Sequence, residues 1–151
     1  MKEILLIDAF NVIHAASRSA RHGPFSDVKR FVYALERHAS ARESRVTVVF
    51  DGTRFEGEFQ SSRSLEVLCT KPGEKADTLL ERLMREIQPA ERIQAVLVSE
   101  DNALRAMAMG WGVRVQKPAE LLDRLNAAEK PAAPQGGTGR SEPFNNPFRG
   151  L

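Results

Sequence analysis

Residues 3–14 read E-I-L-L-I-D-A-F-N-V-I-H, and the first half of that stretch decides the fold. Glu3–Ile7 is a short apolar run that stops at Asp8, with the length and composition of a buried strand. It meets Asp8 with no small-residue cleavage site, so it reads as a strand and not as a signal peptide. Four similar runs follow. Val46–Phe50 (VTVVF) is β-branched and ends at Asp51-Gly52, and Leu65–Cys69 (LEVLC) ends at a Lys71-Pro72-Gly73 turn. Ala95–Val98 (AVLV) and the shorter Val113–Val115 complete the set.

Between the runs the period changes from strand to helix. Val28, Phe31, Val32 and Leu35 recur at i, i+3, i+4 and i+7 behind a helix start at Ser26-Asp27. Ala76, Leu79, Leu80, Leu83, Met84 and Ile87 form a second stripe, halted before Pro89. Ser99-Glu100-Asp101-Asn102 caps a helix to about Met109, closed by Gly110-Trp111-Gly112, and Pro118 opens a last helix to about Ala128. Residues 8–25 show no clear period and read as irregular. Alternating strands and helices predict an α/β domain, a parallel sheet of about five strands joined by right-handed crossovers.

The chain has 151 residues, enough for one domain with a real core. That domain is expected to span residues 1–129. Residues 130–151 (KPAAPQGGTGRSEPFNNPFRGL) are rich in Pro, Gly, Ser and Asn and read as a flexible tail. Lys130, Arg140 and Arg149 against Glu142 account for the whole net charge of +2, so residues 1–129 balance 19 basic groups with 19 acidic ones. Any nucleic-acid contact must therefore come from local patches. The single Cys69 rules out an intrachain disulfide and fits a reduced, cytoplasmic setting. No apolar run approaches the ~20 residues of a membrane helix.

In an open parallel sheet, ligands bind beyond the carboxyl ends of the strands. Those ends carry Asp8, Asp51 and Asp101, with Glu74 and Asp77 at the start of the helix after the third strand. Each acid also has an ordinary reading: Asp51-Gly52 as a turn pair, Glu74 and Asp77 as partners of a helix dipole, Asp101 as a cap. Those readings do not explain why four separate connections all carry an acid at one rim. Carboxylates so grouped repel unless a cation neutralises them, and hard Mg²⁺ or Mn²⁺ prefers oxygen ligands. Such an ion lowers the pKa of water and stabilises the oxygens of a phosphodiester displacement. Asn11, three residues after Asp8, reads equally as a contact to water or phosphate and as a local turn former. His14 reads as a loop residue, His22 and His38 as surface residues, and Trp111 as a packing residue.

LLIDAFNVIH, VVFDG, TKPGEKADTLLERL and VLVSEDNAL resemble the successive motifs of the YacP-like NYN nucleases, a branch of the PIN-like ribonucleases. The resemblance covers roughly residues 3–129 and is most specific at D-x-x-N-V-I and G-E-x-A-D. It implies a three-layer α/β/α sandwich and metal-dependent internal cleavage of RNA. It also implies metal roles for Asp8, Asp77 and Asp101, support from Asp51 and Glu74, and a substrate or water contact at Asn11. Relatives often read Thr-Ser-Asp where this chain has Ser99-Glu100-Asp101, which leaves either Glu100 or Asp101 to face the metal. Kinship also hints at translation-linked RNA, such as messages on the ribosome.

RNA needs cations around a negative site. Arg18, Arg21, Lys29 and Arg30 follow the first acidic loop, and Lys71 and Lys75 adjoin Glu74 and Asp77. Arg54 and Arg63 flank Phe55 and Phe59 in a loop that either stacks on unpaired bases or packs on the core. The expected substrate contacts are Asn11, Arg54, Arg63, Lys71, Lys75 and Ser99. In the tail, FNNPFRGL (residues 144–151) reads either as an unused terminus or as apolar anchors for a protein partner. Two rivals stand beside the nuclease reading. One is a phospho-acceptor receiver domain, with Asp51, Ser99 and Lys117-Pro118 at the strand ends. The other is an inactive RNA-binding module of the same fold.

Overall fold

A computed structural model describes residues 2–129. The tail, with its FNNPFRGL segment, lies outside the described residues. Five strands form one sheet: β1 Ile4–Asp8, β2 Arg45–Phe50, β3 Leu65–Cys69, β4 Ala95–Val98 and β5 Arg114–Gln116. Their spatial order is β3-β2-β1-β4-β5 and every pairing is parallel. Parallel neighbours require long crossovers. Helices α1 Ala9–Ser17 and α2 Val28–Arg42 join β1 to β2. Helix α3 Ala76–Glu86 joins β3 to β4, α4 Asn102–Gly110 joins β4 to β5, and α5 Pro118–Glu129 follows β5.

Alternation along the strands builds two cores. Leu5, Ile7, Val48, Phe50 and Val98 face Val12, Phe31, Leu35 and Leu121 of α1, α2 and α5. Ile4, Leu6, Val49 and Leu97 face Leu79, Leu80 and Met84 of α3 and Leu104 of α4. Each such side chain contributes roughly 1.5–3 kcal/mol when fully buried. The result is the expected α/β/α sandwich. Among the described residues no helix is long and apolar enough to cross a membrane.

The strand order also separates the fold from a receiver. Flavodoxin-like and receiver sheets run 2-1-3-4-5, whereas here β2 pairs with β3 and β1 lies between β2 and β4. The chain builds outward on one side of β1, then crosses to build on the other. The gap between the carboxyl ends of β1 and β4 is therefore the topological switch point, where open α/β sheets bind ligands.

Two expectations are corrected. Residues 8–25 are not irregular: α1 starts directly after Asp8, and a 3₁₀ segment covers Ala20–Ser26. The helical signal is there in Ala9, Val12, Ile13 and Ala16, all buried. His22 and His38 are not surface residues; each is 4% exposed. His22 sits between Ser19 Oγ at 3.1 Å and Asp123 Oδ1 at 2.7 Å, fastening the 3₁₀ segment to α5. His38 Nε2 accepts from Arg124, which also holds Glu3 at 2.6 Å. Burial, then the Arg124 charge, pushes the His38 imidazole below its ordinary pKa, as an acceptor beside a guanidinium requires.

Candidate active site at the carboxyl ends of the strands

Asp8 is at once the last residue of β1 and the N-cap of α1. Its Oδ1 accepts the Asn11 backbone N–H at 3.4 Å. Burial first, and then the charges of Asp77 and Asp51, push this half-buried carboxyl up to about pKa 6 against that hydrogen bond. Three carboxylates from β1, β2 and α3 thus share one electrostatic neighbourhood. Asp77 lies in the first turn of α3. Asp51 follows β2, where buried Thr70 organises the turn: its Oγ1 accepts the Gly52 N–H at 2.6 Å and donates to Asp51 Oδ1 at 3.4 Å. Gly52 has φ +97°, a conformation that favours glycine.

The β4 side is joined to this corner through Asn11. Its Oδ1 accepts the backbone N–H of Glu100 at 2.7 Å and the Ser99 hydroxyl at 3.3 Å. Ser99 Oγ in turn accepts the Asp101 N–H at 3.0 Å, and Asp101 Oδ1 caps α4 by accepting the Leu104 N–H at 2.8 Å. Asp8 and Asp101 each have one carboxylate oxygen committed to a helix start. Glu100 leans toward Arg18, 3.9 Å away on the surface. Arg105 donates to the carbonyls of Ser99 and Gln116, tying the ends of β4 and β5 together. Thr70 and Arg105 were not among the expected site residues. Arg105, one turn after the Asp101 cap, is the one a helical spacing argument could have found.

Several expected contacts fall elsewhere. Ser99 is fully buried, with its hydroxyl engaged by Asn11 and Asp101 and off the exposed surface of the rim. Glu74 has both oxygens engaged, one by the Lys71 N–H at 3.2 Å and one by Arg82 at 3.2 Å. Phe55 and Phe59 pack on Phe50, with ring centroids 5.3 and 6.1 Å away, and so lie partly buried against the core. Arg54 lies over Phe55 near the rim. Arg63 does not accompany it: β2 and β3 are parallel, so the intervening chain returns to the opposite end of the sheet, where Ser64 accepts the Val46 N–H. Lys71 and Lys75 stay exposed between β3 and α3.

The family model of the YacP-like NYN domain matches residues 5–145. The chain belongs to that family. The match runs past Glu129, the expected end of the domain. NYN domains have the PIN-like nuclease fold, and solved structures show the same architecture. Rae1 (YacP) from Bacillus subtilis is 24% identical with a TM-score of 0.65, covering 84% of this chain and 75% of that one. A tryptophan-to-leucine mutant of Rae1 gives 22% identity and a TM-score of 0.60, covering 84% and 76%. No curated protein matches the chain.

Among the described residues no three His, Cys, Asp or Glu side chains are grouped closely enough to bind one ion directly. The donor chemistry nevertheless fits a hydrated hard cation. Mg²⁺ keeps several waters and is held by one or two carboxylates, and Asp8 and Asp77 carry charges that repel each other without one.

Proposed function

We propose that this chain is a metal-dependent endoribonuclease that hydrolyses RNA phosphodiester bonds at the β1–β4 corner. The observation that carries this reading is Asp8, half-buried at the switch point and raised to about pKa 6 by burial and by the Asp77 and Asp51 charges. A carboxylate cluster that penalises its own ionisation favours a bound cation.

Asp8 and Asp77 would hold Mg²⁺ or Mn²⁺, with Asp101 reaching the same corner across the Asn11 bridge and Asp51 contributing charge. When bound, the ion supplies Lewis acidity and a template for the displaced phosphate oxygens. The protein's own residues supply placement. Asn11 fixes the corner through its side-chain oxygen, and its amide N–H₂ remains to donate to a phosphate. Lys71, Lys75 and Arg54 frame the rim with positive charge, offsetting the repulsion between RNA and the acids. Kinship extends the proposal to translation-linked RNA in the cytoplasm, including messages on the ribosome.

The test is cleavage of structured and unstructured RNA with Mn²⁺, Mg²⁺ or EDTA by the wild type, Asp8→Asn and Asp101→Asn. The proposal expects products only with metal and a loss of at least a hundredfold in each variant, in line with the removal of one charge-stabilising group. Cleavage that persists in both variants belongs to a contaminant. Binding without cleavage under every condition would make the chain an inactive RNA-binding module.

A further inference from the structure

The end of the sheet opposite the carboxylates carries two adjoining clefts of about 320 and 290 Å³. They share Arg45, Arg63 and Ser64, and the first adds Lys2 and Ser44. Lys2, Arg45 and Arg63 are exposed, and none is in an ion pair among the described residues. The acidic residues lining the clefts are Glu43 and Glu66, and Thr47 donates to Glu66 at 3.5 Å. Ser44 is the informative residue. It is 3% exposed, its backbone N–H is used by Ala39, and its hydroxyl has no hydrogen-bond partner among the described residues. Buried hydroxyls are ordinarily paired, so one without a partner among the described residues, beside three cations outside any ion pair among those residues, marks a place for an oxygen-rich anion.

We propose that this cleft binds a backbone phosphate of the RNA substrate, held by Lys2, Arg45 and Arg63 with the Ser44 hydroxyl as a neutral donor. The inference rests on the nuclease reading for the identity of the anion and extends it to a second contact. The cleft is remote from the rim. Register pairs Ile4 with Arg45 at one end of the β1–β2 ladder and Asp8 with Val49 at the other. Arg45 and Asp51 are six residues apart along extended chain, on the order of 20 Å at ~3.3 Å per residue. A short oligonucleotide at the rim does not reach the cleft, whereas a longer single strand does. The site therefore selects for length, not for sequence, since phosphate contacts position without reading bases.

The experiment is RNA binding by fluorescence anisotropy in EDTA, which makes it independent of cleavage. A labelled trinucleotide and a labelled dodecanucleotide are compared on the wild type, on Lys2→Ala/Arg45→Ala and on Ser44→Ala, with inorganic phosphate as a separate competitor. For the double variant, the dodecanucleotide is expected to bind roughly tenfold more weakly at about 50 mM salt, with a salt slope shallower by about 1.4. On the wild type the trinucleotide is expected to bind far more weakly than the dodecanucleotide, because it cannot engage the rim and the cleft together. Ser44→Ala should weaken the dodecanucleotide by a few-fold and leave the slope unchanged, because it removes no charge. Both cations are exposed, so loss of folding does not confuse the result; circular dichroism checks it. Equal dodecanucleotide affinity and slope in wild type and double variant would overturn the proposal, as would no binding by either. Displacement by inorganic phosphate at low concentration without any length effect would make the cleft a free-anion site and also overturn it. If the chain binds as expected but cuts nothing, the nuclease reading fails alone.

Discussion

The side-chain oxygen of Asn11 accepts the Glu100 backbone N–H at 2.7 Å, although 89 residues separate the two in sequence. This bond crosses the switch point and holds the start of α1 against the start of α4. Asn11→Ala removes it and leaves the buried Ser99 hydroxyl with one partner fewer. The expected cost is about 1–2 kcal/mol, read as a lower urea midpoint with an unchanged slope. Cleavage should fall further than the stability loss explains, since Asp8 and Asp101 lose their common brace.

Asp101 separates a structural role from a chemical one. Its Oδ1 caps α4 through the Leu104 N–H. Asparagine caps as well as aspartate, and alanine does not. Asp101→Ala is expected to lose ~1 kcal/mol of stability and Asp101→Asn only a few tenths. If the charge matters at the rim, both variants lose cleavage equally. Urea melts beside cleavage assays on the two variants make the distinction.

The raised carboxyl of Asp8 makes stability depend on pH in a direction opposite to the usual acid. Between its unfolded value of 3.8 and its folded value of about 6, the folded chain holds a proton that the unfolded chain releases. Stability from this group is thus greatest below the lower value, declines as pH rises, and is fully lost above about 6. The full difference is on the order of 3 kcal/mol. Asp8→Asn should therefore be more stable than the wild type above pH 6, by up to about that amount, while losing cleavage. Thermal melts across the pH range in EDTA check this; a variant destabilised at every pH would refute it.

Most of the fold was legible because the central strands β1 and β4 are buried on both faces and read as unbroken apolar runs. Leu65–Cys69 and Ala95–Val98 match the observed β3 and β4 residue for residue. The stretch after Asp8 was harder because its helix is rich in small residues. Ala9 and Ala16 give a weak apolar signal, yet they allow α1 to lie close against the sheet. The acids at the strand ends could be placed at the rim from topology alone. What could not be read was which oxygens are already committed. Glu74 is occupied by Arg82, Ser99 by Asn11, and only coordinates show it. Arg63 misled for another reason: in sequence it flanks the same loop as Arg54, but parallel pairing of β2 and β3 carries it to the far end.

The aromatic cluster gives a prediction for that loop. Phe59 stacks on Phe50 at 6.1 Å and Phe55 lies 5.3 Å from the same ring. Phe50→Ala removes the centre and is expected to cost about 3–5 kcal/mol. Phe59→Ala, at a partly buried position, should cost less and speed amide hydrogen exchange across residues 53–63. If these rings stacked on bases instead, Phe59→Ala would weaken RNA binding and leave exchange unchanged.

The central claim is that carboxylates from separate elements, Asp8 at the end of β1 and Asp77 at the start of α3, hold one hard cation, and calorimetric titration of Mn²⁺ near neutral pH tests it most directly. The account predicts saturable binding to the wild type, at least tenfold weaker binding to Asp8→Asn and to Asp77→Asn, and proton release that grows as the pH is lowered toward 6. Wild-type binding that survives unchanged in both variants, or a wild type that binds no ion, would contradict it.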